Sequence, residues 1–186
     1  QTDVAAGCLI AGLTNVATVT IGAGPDRSGF SCQASEVGQG NGYIPGHGIG
    51  HGGSGAGMSS TLCHELIRRK CMEKVAKLVR KLESVPEGDG TMMDNTLVIY
   101  LSDAADSHHP GCKEWPFVMI GDLGGRLRLG NRFLRFPDYG RTGHRTIANL
   151  YLSLLHAVGE RKDTFGVPDF GLADLDQTGP LAEIMS

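Results

Sequence analysis

Several residue classes are scarce in this chain of 186 residues. Aromatic side chains make up only 6% of it, with a single tryptophan, and no apolar run approaches the roughly 18 residues of a membrane-spanning helix. Neither sign of charge dominates, because 17 Lys and Arg stand against 20 Asp and Glu. That balance provides no excess of positive charge with which to bind nucleic acid or an anionic membrane. We therefore expect no transmembrane segment and no nucleic-acid partner.

Cysteine is also too sparse and too irregular to define a site. The five cysteines are odd in number and form no C-x-x-C pair: Cys8, Cys32, Cys63, Cys71 and Cys112. The pattern therefore excludes the common zinc and haem motifs built on paired cysteines. We predict buried free thiols, with one disulfide as the alternative.

Glycine, by contrast, is abundant, with 28 residues in the chain. Ten of them fall within residues 38–57. Because glycine loses much backbone entropy in a helix or strand, this segment is predicted to be a loop. Long ordered loops inside compact domains are usually functional.

The rest of the chain alternates between helical and strand patterns. The strongest helix prediction covers residues 60–83, where Ile67, Cys71, Val75, Leu78 and Leu82 share one face. Further segments are predicted as the end of a helix (5–13), buried strands (16–21, 96–101 and 117–120), a second helix (147–158) and a mostly irregular tail (160–186). This order predicts a single α/β domain over residues 1–186, with a layered sheet and flanking helices.

The residues able to carry chemistry are Asp and His in loops or at the ends of elements. Asp103 follows the predicted strand 96–101, and His108 and His109 come shortly after it. His47 and His51 stand four residues apart in the glycine-rich segment, while His144 precedes the last helix. Such ligands suit Zn²⁺, Mn²⁺ or Fe. For each histidine the alternative is an ordinary hydrogen-bonding role, and Asp103 could simply cap a turn.

Several motifs resemble an uncharacterised bacterial family. They are PEGDGT at 86–91, DNTLVIY at 94–100, Ser102–Asp103, His108–His109 and PFVMIG at 116–121. The family is domain of unknown function 1552, with domain of unknown function 1501 as its sister, and the likeness runs along nearly all of the 186 residues. It is similar in turn to the alkaline-phosphatase-like superfamily of phosphatases and sulfatases.

The resemblance implies an exported, periplasmic or extracellular protein with a divalent metal site (Zn, Mn or Ca). Asp103, His47, His51 and His144 match metal ligands, and His108 or His109 is either a ligand or a catalytic acid. It also implies that these residues are the carboxyl-terminal portion of a longer protein. The first residue, Gln1 rather than Met, is in keeping with a processed or cut chain.

Two functions follow from this resemblance. One is a metal-dependent hydrolase of phosphate or sulfate esters. The alternative is a non-catalytic structural subunit or fragment of a larger exported assembly, because Ala104 stands where the superfamily typically has a histidine after the aspartate. In the alternative, a partner chain or a second copy covers the exposed edges of the sheet.

Overall fold

The computed structural model describes residues 1–20, 31–102 and 114–186. Within them the chain mixes helices with short strands and is broadly α/β. It divides into two compact units, Gln1–Pro86 and Glu87–Ser186. No helix among the described residues is long and apolar enough to cross a membrane.

The first unit is built on one long helix. Its helices are α1 (Thr2–Ile10), α2 (Gly46–Gly50) and α3 (Ser60–Glu83), and its antiparallel strands are β1 (Cys32–Gln33) and β2 (Tyr43–Ile44). The predicted helix 60–83 is confirmed residue for residue. Ser59 caps it, since its side chain accepts a hydrogen bond from the Leu62 N–H.

The buried face of α3 follows the predicted spacing. Ile67, Cys71, Val75 and Leu82 are buried, and Leu78 is half-buried. Both α1 and α2 pack on this helix. The predicted end of a helix at residues 5–13 corresponds to α1, which stops earlier, at Ile10. Cys8, Cys32, Cys63 and Cys71 are all free thiols.

Two predictions in the first unit are wrong. Residues 16–20 do not form the predicted buried strand, and Val16 is 78% exposed. A strand needs a neighbouring strand to complete its backbone hydrogen bonds, and no described segment pairs with these residues. Residues 38–57 are not loop throughout, because they contain β2 and α2.

The second unit combines short strands with one helix. Strand β3 (Pro86–Glu87), which begins at the last residue of the first unit, pairs with β4 (Gly90–Thr91), and β5 (Val98–Leu101) pairs with β6 (Phe117–Ile120). The helix of the second unit is α4 (Ile147–Ala157). The bounds predicted for 117–120 and 147–158 are confirmed to within one residue. Strand β6 is not buried as predicted, because Val118 is 42% exposed and its other residues are half-buried. The strand predicted at 96–101 is shorter and only half-buried, because β5 has one described partner and Leu101 is 39% exposed.

Strands β5 and β6 run antiparallel, with Val98 opposite Ile120 and Leu101 opposite Phe117. Their carboxyl ends therefore lie at opposite ends of the pair. The expectation that ligands gather where neighbouring parallel strands end does not apply to these two strands.

A buried amide joins α4 to the tail of the chain. Asn149 is fully buried, and its Nδ2 donates to the carbonyls of Thr178 (3.0 Å) and Gly179 (2.8 Å). Its Oδ1 accepts from the backbone N–H (2.9 Å) and the hydroxyl (3.0 Å) of Thr146. One turn later, Ser153 Oγ accepts from the Leu181 N–H at 2.8 Å. The irregular tail is therefore ordered by hydrogen bonds that no sequence period reveals.

The PEGDGT and DN motifs form a hydrogen-bonded hairpin. The Asp94 carboxylate accepts from the Thr91 N–H at 2.7 Å and from the Thr91 hydroxyl at 2.9 Å. The Asn95 amide donates to the Glu87 carboxylate at 2.7 Å. These contacts give the motifs a structural role immediately before β5.

Replacing Asp94 tests this role. The hydrogen bonds from the Thr91 backbone and hydroxyl lower the pKa of Asp94 in the folded state, so the stabilisation is present above the ordinary Asp pKa of about 3.9 and is lost as the pH falls through the lowered value. Asp94→Ala should lower the melting temperature by roughly one or two degrees at pH 7, and less below pH ~4. Thermal melts at several pH values check this.

Asp89→Ala is the matched control, because this exposed carboxylate in the same hairpin accepts no hydrogen bond among the described residues. An Asp94→Ala difference that does not change with pH would contradict the ionised role of the side chain.

Candidate functional site

Two histidines of the first unit come together at the end of α2. His47 lies in the helix and His51 follows it, and a spacing of four places both side chains on one face. Their Nε2 atoms are 3.2 Å apart, and the ring centroids are 4.8 Å apart with the rings steeply inclined. His47 is half-buried and His51 is exposed.

The turn that carries the pair is held by two buried isoleucines. Ile44 and Ile49 are 0% and 2% exposed, one on each side of Pro45. The Ile49 N–H donates to the Pro45 carbonyl at 3.0 Å, and the Gly46 N–H donates to Ser31 Oγ at 2.9 Å. A glycine-rich segment can be helical here because burial of apolar side chains compensates for its poor helix propensity.

Close backbone contact explains two of the glycines. The Gly53 N–H donates to the Gly48 carbonyl at 2.9 Å, and a Cβ at position 53 would lie only 2.8 Å from that oxygen. A Cβ at position 55 would lie 3.0 Å from the Ile44 Cα. These glycines therefore allow the segment after α2 to fold back on the turn.

The geometry of the histidine pair permits two arrangements. One imidazole can donate its Nε2 proton to the other, as a hydrogen bond of 3.2 Å. Alternatively, both nitrogens can bind one ion: zinc–nitrogen bonds of about 2.0–2.1 Å in tetrahedral geometry place two ligand atoms roughly 3.3–3.4 Å apart. The observed separation fits this second arrangement without movement of the backbone.

The other predicted ligands are placed differently. His144 lies in the second unit, where its Nδ1 is 2.8 Å from the Pro137 carbonyl and its ring packs edge-on against Tyr139 at 5.6 Å. A carbonyl can only accept, so Nδ1 carries the proton. Asp103, His108 and His109 lie outside the described residues. Among the described residues, no three His, Cys, Asp or Glu side chains form a metal-binding group.

Sequence reasoning missed a second concentration of polar side chains. Residues 126–145 contain six arginines and one acidic residue, and three of those arginines line a large cleft in the second unit. The available signal was the local charge, which is strongly positive in a chain whose net charge is −3. An average over the whole chain conceals it.

Comparisons with protein-family models, curated protein sequences and solved structures find no match to this chain.

Gly53 provides a test of the turn. Gly53→Ala would press a Cβ against the Gly48 carbonyl, so we expect a loss of stability of about 1–3 kcal/mol. Gly40→Ala is the matched control, since a Cβ at position 40 meets nothing within 4 Å. Urea unfolding of both variants measures the difference. Equal stabilities would show that the close approach at Gly53 does not constrain the turn.

Proposed function

We propose that this chain is an exported protein related to metal-dependent hydrolases of phosphate or sulfate esters, and that His47 and His51 hold its divalent ion. The observation that supports this proposal is the 3.2 Å separation of the two Nε2 atoms. Neutral imidazole favours Zn²⁺ or Mn²⁺ over Ca²⁺, which prefers oxygen ligands.

The family resemblance also implies Asp103 and His144 as ligands, and His108 or His109 as a ligand or as the donor of a proton to the leaving oxygen. These residues belong to the second unit, and the ion at His47 and His51 is proposed without them. A bound divalent ion supplies Lewis-acid stabilisation of the charge on the transferring group. The proposed fold is the carboxyl-terminal part of an alkaline-phosphatase-like domain.

Metal binding is tested by removing each imidazole of the pair. The full chain, reconstituted with Zn²⁺ or Mn²⁺ and dialysed, should retain metal by elemental analysis. His47→Gln and His51→Gln should each weaken binding by about ten-fold or more, because each removes one ligand. Hydrolysis of 4-nitrophenyl phosphate or sulfate, abolished by a chelator, would establish the activity.

His64→Gln is the matched control, as it removes a half-buried histidine of the same unit that lies outside the pair. Failure of the full chain to retain any ion, or equal effects of all three variants, would contradict the metal site. Metal binding without ester hydrolysis would support the metal site and contradict the hydrolase function.

The surface of the β5–β6 pair favours the second candidate function, a structural subunit. All eight residues of the two strands are aliphatic, aromatic or methionine, so both faces are apolar. One face packs Phe117 and Met119 on the core, whereas Val118 on the other face is 42% exposed. Among the described residues no third strand pairs with either outer edge. A partner chain or a second copy would cover such a surface.

The mass in solution tests this second candidate. Light scattering should give an assembly heavier than the 19.7 kDa chain, and Val118→Lys should dissociate it because a buried unpaired charge is costly. Val16→Lys, at a position 78% exposed in the first unit, should leave the assembly intact. A monomeric chain at micromolar concentration would exclude a second copy as the molecule that covers this surface.

A further inference from the structure

The second unit contains a cleft of about 1310 Å³. This volume exceeds the roughly 300–1,000 Å³ of a typical small-molecule site. Most of its lining is apolar, including Trp115, Phe133, Phe136, Phe165, Leu172 and Leu181. Phe133 is 88% exposed at this surface. A ligand with a long or aromatic hydrocarbon body would bury this lining favourably.

Each carboxylate in the lining lies beside an arginine or accepts hydrogen bonds. Arg135 lies 3.2 Å from Asp138 and 3.9 Å from Glu114. Asp169 accepts from the Tyr139 hydroxyl and from the Gly171 N–H, both at 2.8 Å. The acidic groups of the cleft therefore already have partners, so we do not expect the ligand to be a cation.

Two arginines of the lining are not neutralised in this way. Among the described residues, no carboxylate lies within 4.0 Å of Arg132 or Arg145. Arg132 donates to backbone carbonyls, including that of Leu129 at 3.1 Å, and these contacts position its guanidinium without cancelling its charge. Arg145 is half-buried; it lowers the pKa of Asp176, although less than the hydrogen bonds from Thr178 do.

We infer that this cleft binds an amphiphilic anion, a molecule with an apolar body and a phosphate or sulfate headgroup, with Arg132 and Arg145 as the headgroup ligands. The planar guanidinium of Arg145 presents paired N–H donors that match an oxyanion. On Arg132, backbone carbonyls take the Nε and Nη2 donors, so the Nη1 donors are left for the headgroup. The apolar lining supplies the contact area for the body, and a headgroup alone would not use it. This inference does not require the proposed hydrolysis, because neither His47 nor His51 lines the cleft, and it assigns no metal to His144, which does line it.

The single tryptophan of the chain reports binding directly. Trp115 lines the cleft, and its indole N–H donates to the Ser102 carbonyl at 2.6 Å. Titration of the full chain with decyl phosphate or decyl sulfate, below the micellar concentration, should change its fluorescence saturably. Decanol and decyltrimethylammonium should bind at least about ten-fold more weakly, since decanol offers arginine only a neutral acceptor and decyltrimethylammonium carries a positive charge and no acceptor.

Variants distinguish binding by the two headgroup arginines from a general effect of positive charge on the protein. Arg132→Gln and Arg145→Gln should each weaken decyl phosphate binding by about five-fold or more and leave decanol binding unchanged. Arg141→Gln is the matched control, because Arg141 is an exposed arginine of the same segment that does not line the cleft. Its affinity should equal that of the unaltered chain. Arg145→Gln keeps the test decisive if loss of the Arg132 carbonyl contacts unfolds that variant.

Other outcomes would overturn the inference. Equal affinity for decanol and decyl phosphate would show a non-selective apolar surface. Equal affinity for inorganic phosphate and decyl phosphate would show anion binding that makes no use of the lining. Absence of a saturable fluorescence change with every probe, or an Arg141→Gln effect as large as that of Arg145→Gln, would exclude the assigned site.

Discussion

Burial of Ile44 and Ile49 is the constraint on which the histidine pair depends. A five-residue helix containing three glycines has little intrinsic stability, yet it holds two imidazole nitrogens 3.2 Å apart. The isoleucines are buried in the turn, whose helix α2 packs on α3, and Gly53 lets the following backbone close on Gly48. In this segment, therefore, glycine permits close packing of the backbone. Its abundance alone would instead indicate a flexible loop.

In the second unit, hydrogen bonds hold an irregular segment in place. Its tail has almost no regular structure, but Asn149 and Ser153 hold residues 178–181 against α4 through fully satisfied hydrogen bonds. A buried amide without such partners would be strongly destabilising, so the tail and the helix specify each other. Leu181 and Ile184, positioned by this arrangement, form both the core cluster and one wall of the cleft.

Sequence patterns predicted those elements whose stability is local. Helix α3 follows from a continuous apolar stripe on one face. Strand β6 was predicted from a short apolar run between turn signals, although its backbone hydrogen bonds come from β5. Residues 16–20 also have the β-branched composition that is typical of strands, yet no described segment pairs with them. The sequence of one segment does not show whether a second strand lies beside it. For the site, the spacing of His47 and His51 was visible, whereas the convergence of their nitrogens depends on packing around Ile49. The arginines of the cleft escaped notice because acidic residues elsewhere cancel their charge in the total.

The two candidate sites would bind an oxyanion through different groups: a metal held by imidazole in one, and guanidinium in the other. Their binding should therefore depend on pH in different ways. Imidazole binds a metal only through an unprotonated ring nitrogen, so protons compete with the metal wherever imidazole is the ligand. Guanidinium stays charged throughout the accessible range, so protons do not compete with an anion for an arginine ligand, although His144 and three carboxylates also line the cleft. A phosphate monoester gains its second negative charge near pH ~6, whereas a sulfate ester keeps one charge throughout. Comparing the two esters in the cleft therefore separates the charge of the ligand from that of the lining, whereas release of a metal by acid does not depend on the ester.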